Sequence, residues 1–115
     1  VLEFRRVLFR SHEKPRGHGY MELEATGAGG WFEPGLVIRG HEFHYSEVVG
    51  LDPATTTFAY KVRRGTGVDK VHDGILYRNV LASYTHLHSL GSRGWAEGFV
   101  GFVRRQNIDK PFKRV

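Results

Sequence analysis

The chain has 115 residues, 40% of them hydrophobic, which is enough for one small domain but not for two. It contains no cysteine, which excludes disulfides, thiolate metal sites and a thiol nucleophile within this sequence. The net charge of +5 is concentrated at the two ends rather than on one element, so we expect no nucleic-acid partner. No apolar run approaches the roughly 20 residues of a membrane span, and the start lacks the features of a signal peptide. We therefore expect no membrane association and a cytoplasmic location.

The ends of the chain differ from its middle. Residues 1–11 are basic and apolar and resemble translated sequencing adapter, so we predict a non-native segment there; the alternative is an ordinary edge strand or short helix. Residues 12–107 are predicted to be the folded part, a portion of a longer protein. Residues 108–115 are basic and contain Pro111, which predicts a loose tail.

The predicted elements are mostly strands. Period-two alternation or a β-branched and aromatic composition predicts strands at residues 19–25, 36–39, 41–49, 57–63, 75–77 and 79–84. Glycine, proline and aspartate predict the connections between them at residues 26–30, 34–35, 52–55, 64–70 and 73–74. Gly40 is predicted to divide the second strand from the third.

A glycine-rich turn and one helix complete the predicted elements. Residues 64–70 lack the spacing of a phosphate-binding loop, so we predict a hairpin connection. The helix is expected from about Trp95 to Gln106, because Trp95, Phe99, Phe102 and Val103 recur at three- and four-residue spacing.

Two short motifs hold four of the seven histidines. In the first motif, His41 and His44 must lie on opposite faces of a strand, because side chains alternate, and Glu42 shares the face of His44. His86 and His88 share a face in the second motif, so a three-histidine metal site is conceivable. A carboxylate soon after that pair is missing, and no metal site is predicted.

His86 stands at the end of the last predicted strand. A histidine there can act as a general base, since its ordinary pKa of about 6.5 suits proton transfer at neutral pH. Ser46, Ser83 and Ser89 lack the Gly-x-Ser-x-Gly elbow of a serine hydrolase. The residues alone therefore indicate a histidine that needs a partner.

A series of motifs in a fixed order covers about residues 14–105. They are Pro15-Arg16-Gly17-His18-Gly19-Tyr20 with Glu22 and Glu24, Arg39-Gly40-His41-Glu42-Phe43-His44-Tyr45-Ser46, Arg63-Arg64-Gly65-Thr66-Gly67, Asp73-Gly74, residues 79–88, and Gly94-Trp95-Ala96. The series resembles the C-terminal half of the glutaminase domain of cobyrinate a,c-diamide synthases. The resemblance implies an α/β fold: part of a class I glutamine amidotransferase domain of flavodoxin-like type, strand-rich with one C-terminal helix.

The resemblance also implies an activity for the parent protein. A cysteine attacks the side-chain amide of glutamine, forms a glutamyl thioester and releases ammonia. An N-terminal ATP-binding domain, related to dethiobiotin synthetase and absent from this sequence, activates the acceptor as an acyl phosphate with ATP and Mg²⁺. The acceptor carboxylates are the a and c acetate side chains of a corrinoid or related tetrapyrrole. No cofactor is expected in this chain itself.

Residue roles follow from the resemblance as well. His86 falls in the Ser-Tyr-x-His motif, so it is implied to be the catalytic histidine that keeps the cysteine as thiolate and protonates the departing ammonia. His88 is expected to be a neighbour of the site. His41, Glu42 and His44 are predicted to border the glutamine pocket or the ammonia exit.

The missing cysteine is a departure from the family pattern. The chain alone is therefore predicted to be unable to hydrolyse glutamine. Two alternatives stay open: a non-catalytic β-rich binding module whose histidines hold a metal or ligand, and a cysteine-free relative that keeps the fold for substrate binding. The sequence does not distinguish cobyrinate, hydrogenobyrinate, nickel sirohydrochlorin and sirohaem as acceptors.

Overall fold

The computed structural model describes residues 8–108, and side chains as far as residue 106. This part of the chain forms seven strands, a short 3₁₀ turn at Ala28–Gly30 and a C-terminal helix, α1, at Trp95–Ile108. The strands are β1 (Leu8–Ser11), β2 (Gly17–Ala25), β3 (Val37–His44), β4 (Ser46–Val49), β5 (Thr57–Arg64), β6 (His72–Tyr77) and β7 (Val80–Ala82). The predicted fold, strand-rich with one C-terminal helix, is confirmed.

Five strands form one sheet in the order β3-β2-β5-β6-β7, and β1 pairs with β4 in a separate two-stranded ribbon. The strand β2 pairs with β3 from Gly17↔His44 to Glu24↔Val37, and with β5 on its other side. Every strand pair among the described residues is antiparallel. β3 lies at one edge of the sheet, and that edge carries the candidate site described below.

Gly40 does not break a strand, so the predicted division there is wrong. The strand β3 runs through Gly40, which pairs with Met21, and the break falls instead at Tyr45. A Cβ at Gly40 would collide with the backbone carbonyl of His86 and lie 2.9 Å from Thr85 Cγ2. Glycine therefore serves here for close approach of a second backbone and not for a turn.

Asp73-Gly74 is not a turn either, because both residues lie inside β6. Gly74 has a φ of 72°, which favours glycine, and the Asp73 side chain is fully buried. The predicted hairpin at residues 64–70 does connect β5 to β6. The last strand, β7, is shorter than predicted, because the backbone after it binds the Asp73 side chain instead of a neighbouring strand.

The apolar core lies between the sheet and α1. Phe102 of α1 stacks on Trp31 with ring centroids 3.9 Å apart and planes at 11°. The buried cluster consists of Met21, Leu23, Ala25, Trp31, Phe32, Ile38, Ala59, Tyr60 and Phe102. The predicted apolar face of the helix is only partly buried, since Phe99 and Val103 are exposed and Trp95 is half-buried.

The predictions for the two ends have different outcomes. Residues Leu8–Ser11 form β1, paired from Leu8↔Val49 to Ser11↔Ser46, so the edge-strand alternative describes them. The non-native origin of residues 1–11 stays a prediction. Ile108 ends α1, and the rest of the predicted tail, residues 109–115, lies outside the described residues. Within residues 8–108, no helix is both long enough and apolar enough to cross a membrane.

Candidate active site

His86 lies at the outer edge of β3, opposite His41. The His86 N–H donates to the His41 carbonyl at 2.7 Å, and the His41 N–H donates to the His86 carbonyl at 3.2 Å. The two rings meet edge to face, with centroids 4.8 Å apart and planes at 71°. Both side chains are exposed. The structure therefore brings two of the predicted site residues together, with their imidazoles accessible.

The backbone immediately before His86 is held by a carboxylate of β6. Asp73 accepts hydrogen bonds from the Tyr84 N–H at 3.1 Å, the Thr85 N–H at 2.9 Å and the Thr85 hydroxyl at 2.5 Å. The Asp73 side chain has no exposed surface. Burial together with the nearby charge of Asp73 raises the pKa of Tyr60.

Sequence reasoning assigned Asp73 to a turn and missed its role. The available signal was an acidic residue two positions before the apolar run Ile75-Leu76-Tyr77, where a buried carboxylate needs hydrogen-bond donors. The donors are the amides of residues 84 and 85, and no local pattern connects those positions to residue 73.

Glu42 and His44 lie in the interior, on the face of β3 that alternation predicts for them jointly. Glu42 is 2% exposed and accepts the backbone N–H of Thr66 at 2.7 Å and of Gly67 at 3.0 Å. Its Oε2 also lies 2.9 Å from His44 Nε2. The carboxylate thus closes the glycine turn onto β3, away from the exposed ring of His41.

His44 contacts the segment of residues 84–86 through the ring of Tyr84. The two rings stack with centroids 3.7 Å apart and planes at 12°. His44 Nδ1 lies 2.8 Å from the Ser46 carbonyl, so both ring nitrogens face oxygen atoms. Ser46 Oγ and the Tyr84 hydroxyl are 3.0 Å apart. Burial is the first cause of the raised pKa of Tyr84, and Asp73 adds to it.

The structure therefore separates the three residues predicted to border the glutamine pocket. His41 lies beside His86, whereas Glu42 and His44 support the chain from inside. Their roles toward glutamine stay predictions. His88 is exposed, and its Nδ1 accepts the Leu90 N–H at 3.2 Å, which places it in a local turn rather than against His86.

The glycine turn does not fit a phosphate group. Cradling a phosphate requires free backbone N–H groups, and those of Thr66 and Gly67 already bind the Glu42 carboxylate. Among residues 8–108 there is also no group of three or more His, Asp or Glu side chains that could hold a metal ion.

The site is thus an exposed histidine whose backbone is bound by β3 and whose preceding residues are bound by Asp73. The class of protein is given by residues 6–94, which match the CobB/CobQ-like glutamine amidotransferase domain. The chain belongs to this family. The matched region starts within the segment that we predict to be non-native and ends just before α1.

Several similar curated proteins carry the name cobyrinate a,c-diamide synthase. The chain is 48% identical over 95 residues to that of Magnetococcus marinus, covering 83% of this chain and 20% of the relative. It is 43% identical over 68 residues to that of Methanocaldococcus jannaschii, covering 59% of this chain and 15% of the relative. With that of Halobacterium salinarum it shares 38% over 79 residues, which is 69% of this chain and 18% of the relative. The chain thus spans about a fifth of the length of these relatives, and no solved structure matches it.

Proposed function

We propose that the chain is the histidine-bearing part of the glutaminase in an ATP-dependent enzyme that amidates the a and c acetate side chains of a tetrapyrrole-derived macrocycle. His86 is the proposed catalytic histidine. The family membership and the shared name of the relatives support the reaction. The single observation that supports the residue is the exposed His86 ring on a backbone fixed by β3 and by Asp73.

The proposed chemistry needs a proton carrier beside a nucleophile. His86 takes the proton of a cysteine thiol, and the thiolate attacks the side-chain amide carbon of glutamine. His86 then gives the proton to the departing nitrogen, so that the C–N bond breaks and ammonia leaves with a glutamyl thioester behind. Water hydrolyses the thioester to glutamate and restores the thiol. The cysteine belongs to a part of the protein outside this sequence, and the ring exposure of His86 leaves room for it.

The acceptor half of the reaction is assigned to another part of the protein. ATP and Mg²⁺ are proposed to activate the acceptor carboxylate there. His41 is proposed to border the glutamine pocket because its ring touches that of His86. Glu42 and His44 contribute by supporting the backbone beneath.

The test replaces His86 by alanine in the whole protein and compares two nitrogen donors. We expect glutamine-dependent synthesis to fall by roughly 10²- to 10⁴-fold, the usual contribution of a general acid–base group, while synthesis from free ammonia is unchanged. His88→Ala is the matched control, because it removes an exposed histidine two residues away and should leave both rates intact. An equal loss with both donors for His86→Ala would contradict the proposed role.

A further inference from the structure

We infer that Asp73 and Thr85 are positioning residues for His86: they fix the backbone that carries the proposed catalytic ring without touching the ring. This inference rests on the proposed function and deepens it.

The first argument is the cost of burying Asp73. A carboxylate without exposed surface is expensive unless hydrogen bonds replace its water. Its three side-chain hydrogen bonds all go to Tyr84 and Thr85, the two residues before His86. The carboxylate is therefore committed to one short stretch of backbone.

The second argument is that the stretch is held from two sides. Asp73 of β6 binds the amides of residues 84 and 85, and His41 of β3 binds the backbone of His86 in both directions. Both strands belong to the same sheet, so the anchors keep a fixed separation. The position of His86 relative to the sheet is consequently set by two rigid elements instead of by a loop.

The third argument is that both branches of the Thr85 side chain are used. Its hydroxyl donates to Asp73 Oδ2, and its methyl carbon, Cγ2, lies 2.9 Å from where a Cβ at Gly40 would stand. Valine would keep the shape and lose the donor, whereas serine would keep the donor and lose the methyl. The two substitutions therefore separate hydrogen bonding from packing.

The consequence for the reaction is geometric. A displacement of about 1 Å of a reacting group can cost about 10²-fold in rate even when substrate binding is unchanged. Loosening Asp73 or Thr85 should move the ring of His86, and with it the proton transfer, while the acceptor half of the reaction is untouched.

The experiment compares Thr85→Val, Thr85→Ser and Asp73→Asn in the whole protein. We expect Thr85→Val and Asp73→Asn to lower the kcat of glutamine-dependent synthesis by about 10- to 100-fold, with the KM for glutamine and the ammonia-dependent rate unchanged. Thr85→Ser should retain kcat within about threefold, because the donor to Asp73 is kept. Ser92→Ala, which removes another buried hydroxyl, is the control for a general loss of stability and should leave kcat intact.

The outcomes are distinguishable. A normal kcat for Thr85→Val together with a lowered melting temperature would show that Thr85 is structural only, and so overturn the inference. Equal kcat losses for valine and serine would overturn the hydrogen-bond argument. If His86→Ala retains glutamine-dependent activity, the proposed function itself fails; if His86→Ala is inactive but the Asp73 and Thr85 variants are normal, only the positioning role fails.

Discussion

The region under α1 and the region around His86 are held together by different forces. Under the helix, Trp31, Phe102 and Tyr60 form an apolar cluster in which large rings stack. Around His86, the interior contains the carboxylates of Asp73 and Glu42, each binding two backbone N–H groups. Apolar contact is non-directional, whereas a hydrogen bond weakens when its angle changes. The region under α1 therefore contributes mainly stability, whereas the region around His86 fixes the orientation of the backbone.

A substitution in the apolar core is expected to reduce stability without changing the preference for glutamine over ammonia as nitrogen donor. Phe102→Ala should lower the free energy of unfolding by about 3–5 kcal/mol, because a buried phenylalanine leaves both transfer and cavity costs behind. Urea unfolding followed by tryptophan fluorescence measures this loss. In the protein that remains folded, the ratio of glutamine-dependent to ammonia-dependent rates should be unchanged. Phe99 is 44% exposed, so Phe99→Ala should lower the free energy of unfolding clearly less. Equal losses of stability for the two variants would contradict the assignment of Phe102 to the core.

At Gly40 we expect a smaller loss of stability but a selective loss of glutamine-dependent synthesis. An added Cβ would press on the backbone carbonyl of His86 and lie 3.0 Å from Leu87 Cδ2, so Gly40→Ala must push that segment away from β3. We expect a loss of about 1–3 kcal/mol, typical of overpacking, together with a fall in glutamine-dependent but not ammonia-dependent synthesis. Gly91→Ala is the control, since its nearest contact would be an ordinary 3.7 Å. An equal loss of the glutamine-dependent and ammonia-dependent rates in Gly40→Ala would contradict a specific effect on the His86 segment.

The smallest expected effect is a pH dependence at the β5–β6 turn. Although partial burial opposes it, the His72 side chain and the amides of Val71 and His72 hold the pKa of Asp69 below its ordinary 3.8. Its stabilisation is therefore present above about pH 3.8 and lost as the pH falls through the lowered pKa. Asp69→Asn keeps the amide acceptor but not the charge.

Because the Asp69–His72 pair is still partly exposed to solvent, the variant should cost no more than about 1 kcal/mol at pH 5, and the difference from wild type should shrink at about pH 2.5. Hydrogen exchange of the Val71 and His72 amides measures it locally. Asp52→Asn, in which Oδ1 likewise accepts a local amide, is the matched control. A difference that grows on acidification would contradict the expected direction of the pH dependence.

Periodicity and composition could predict most strands and the helix, because each of those patterns is local. The strand β5 and helix α1 begin at the predicted residues. The predictions of a strand break at Gly40 and of a turn at Asp73 were wrong because both residues make contacts distant in sequence. Gly40 meets the backbone of His86, and Asp73 binds amides 11 and 12 residues away. Residue types alone did not reveal that a glycine marks close approach or that an acidic residue is buried.

The candidate site shows the same limit. The position of His86 at a strand end and the resemblance together predict its role, and alternation correctly placed His41 and His44 on opposite faces of β3. The pairing of His41 with His86 joins residues 45 positions apart and needed the structure. So did the contact of Glu42 with the turn at Thr66 and Gly67.

The pairing of β2 on both sides has a consequence for the order of folding. The hairpin of β2 and β3 joins neighbouring segments and can form early, whereas β5 must close a longer loop before it adds to the sheet. His86 depends on β3 and, through residues 84 and 85, on β6, so its segment can dock only after both strands are in place. During synthesis the exposed β3 edge is therefore open until the chain beyond β7 has emerged. The candidate site is therefore expected to form after the sheet.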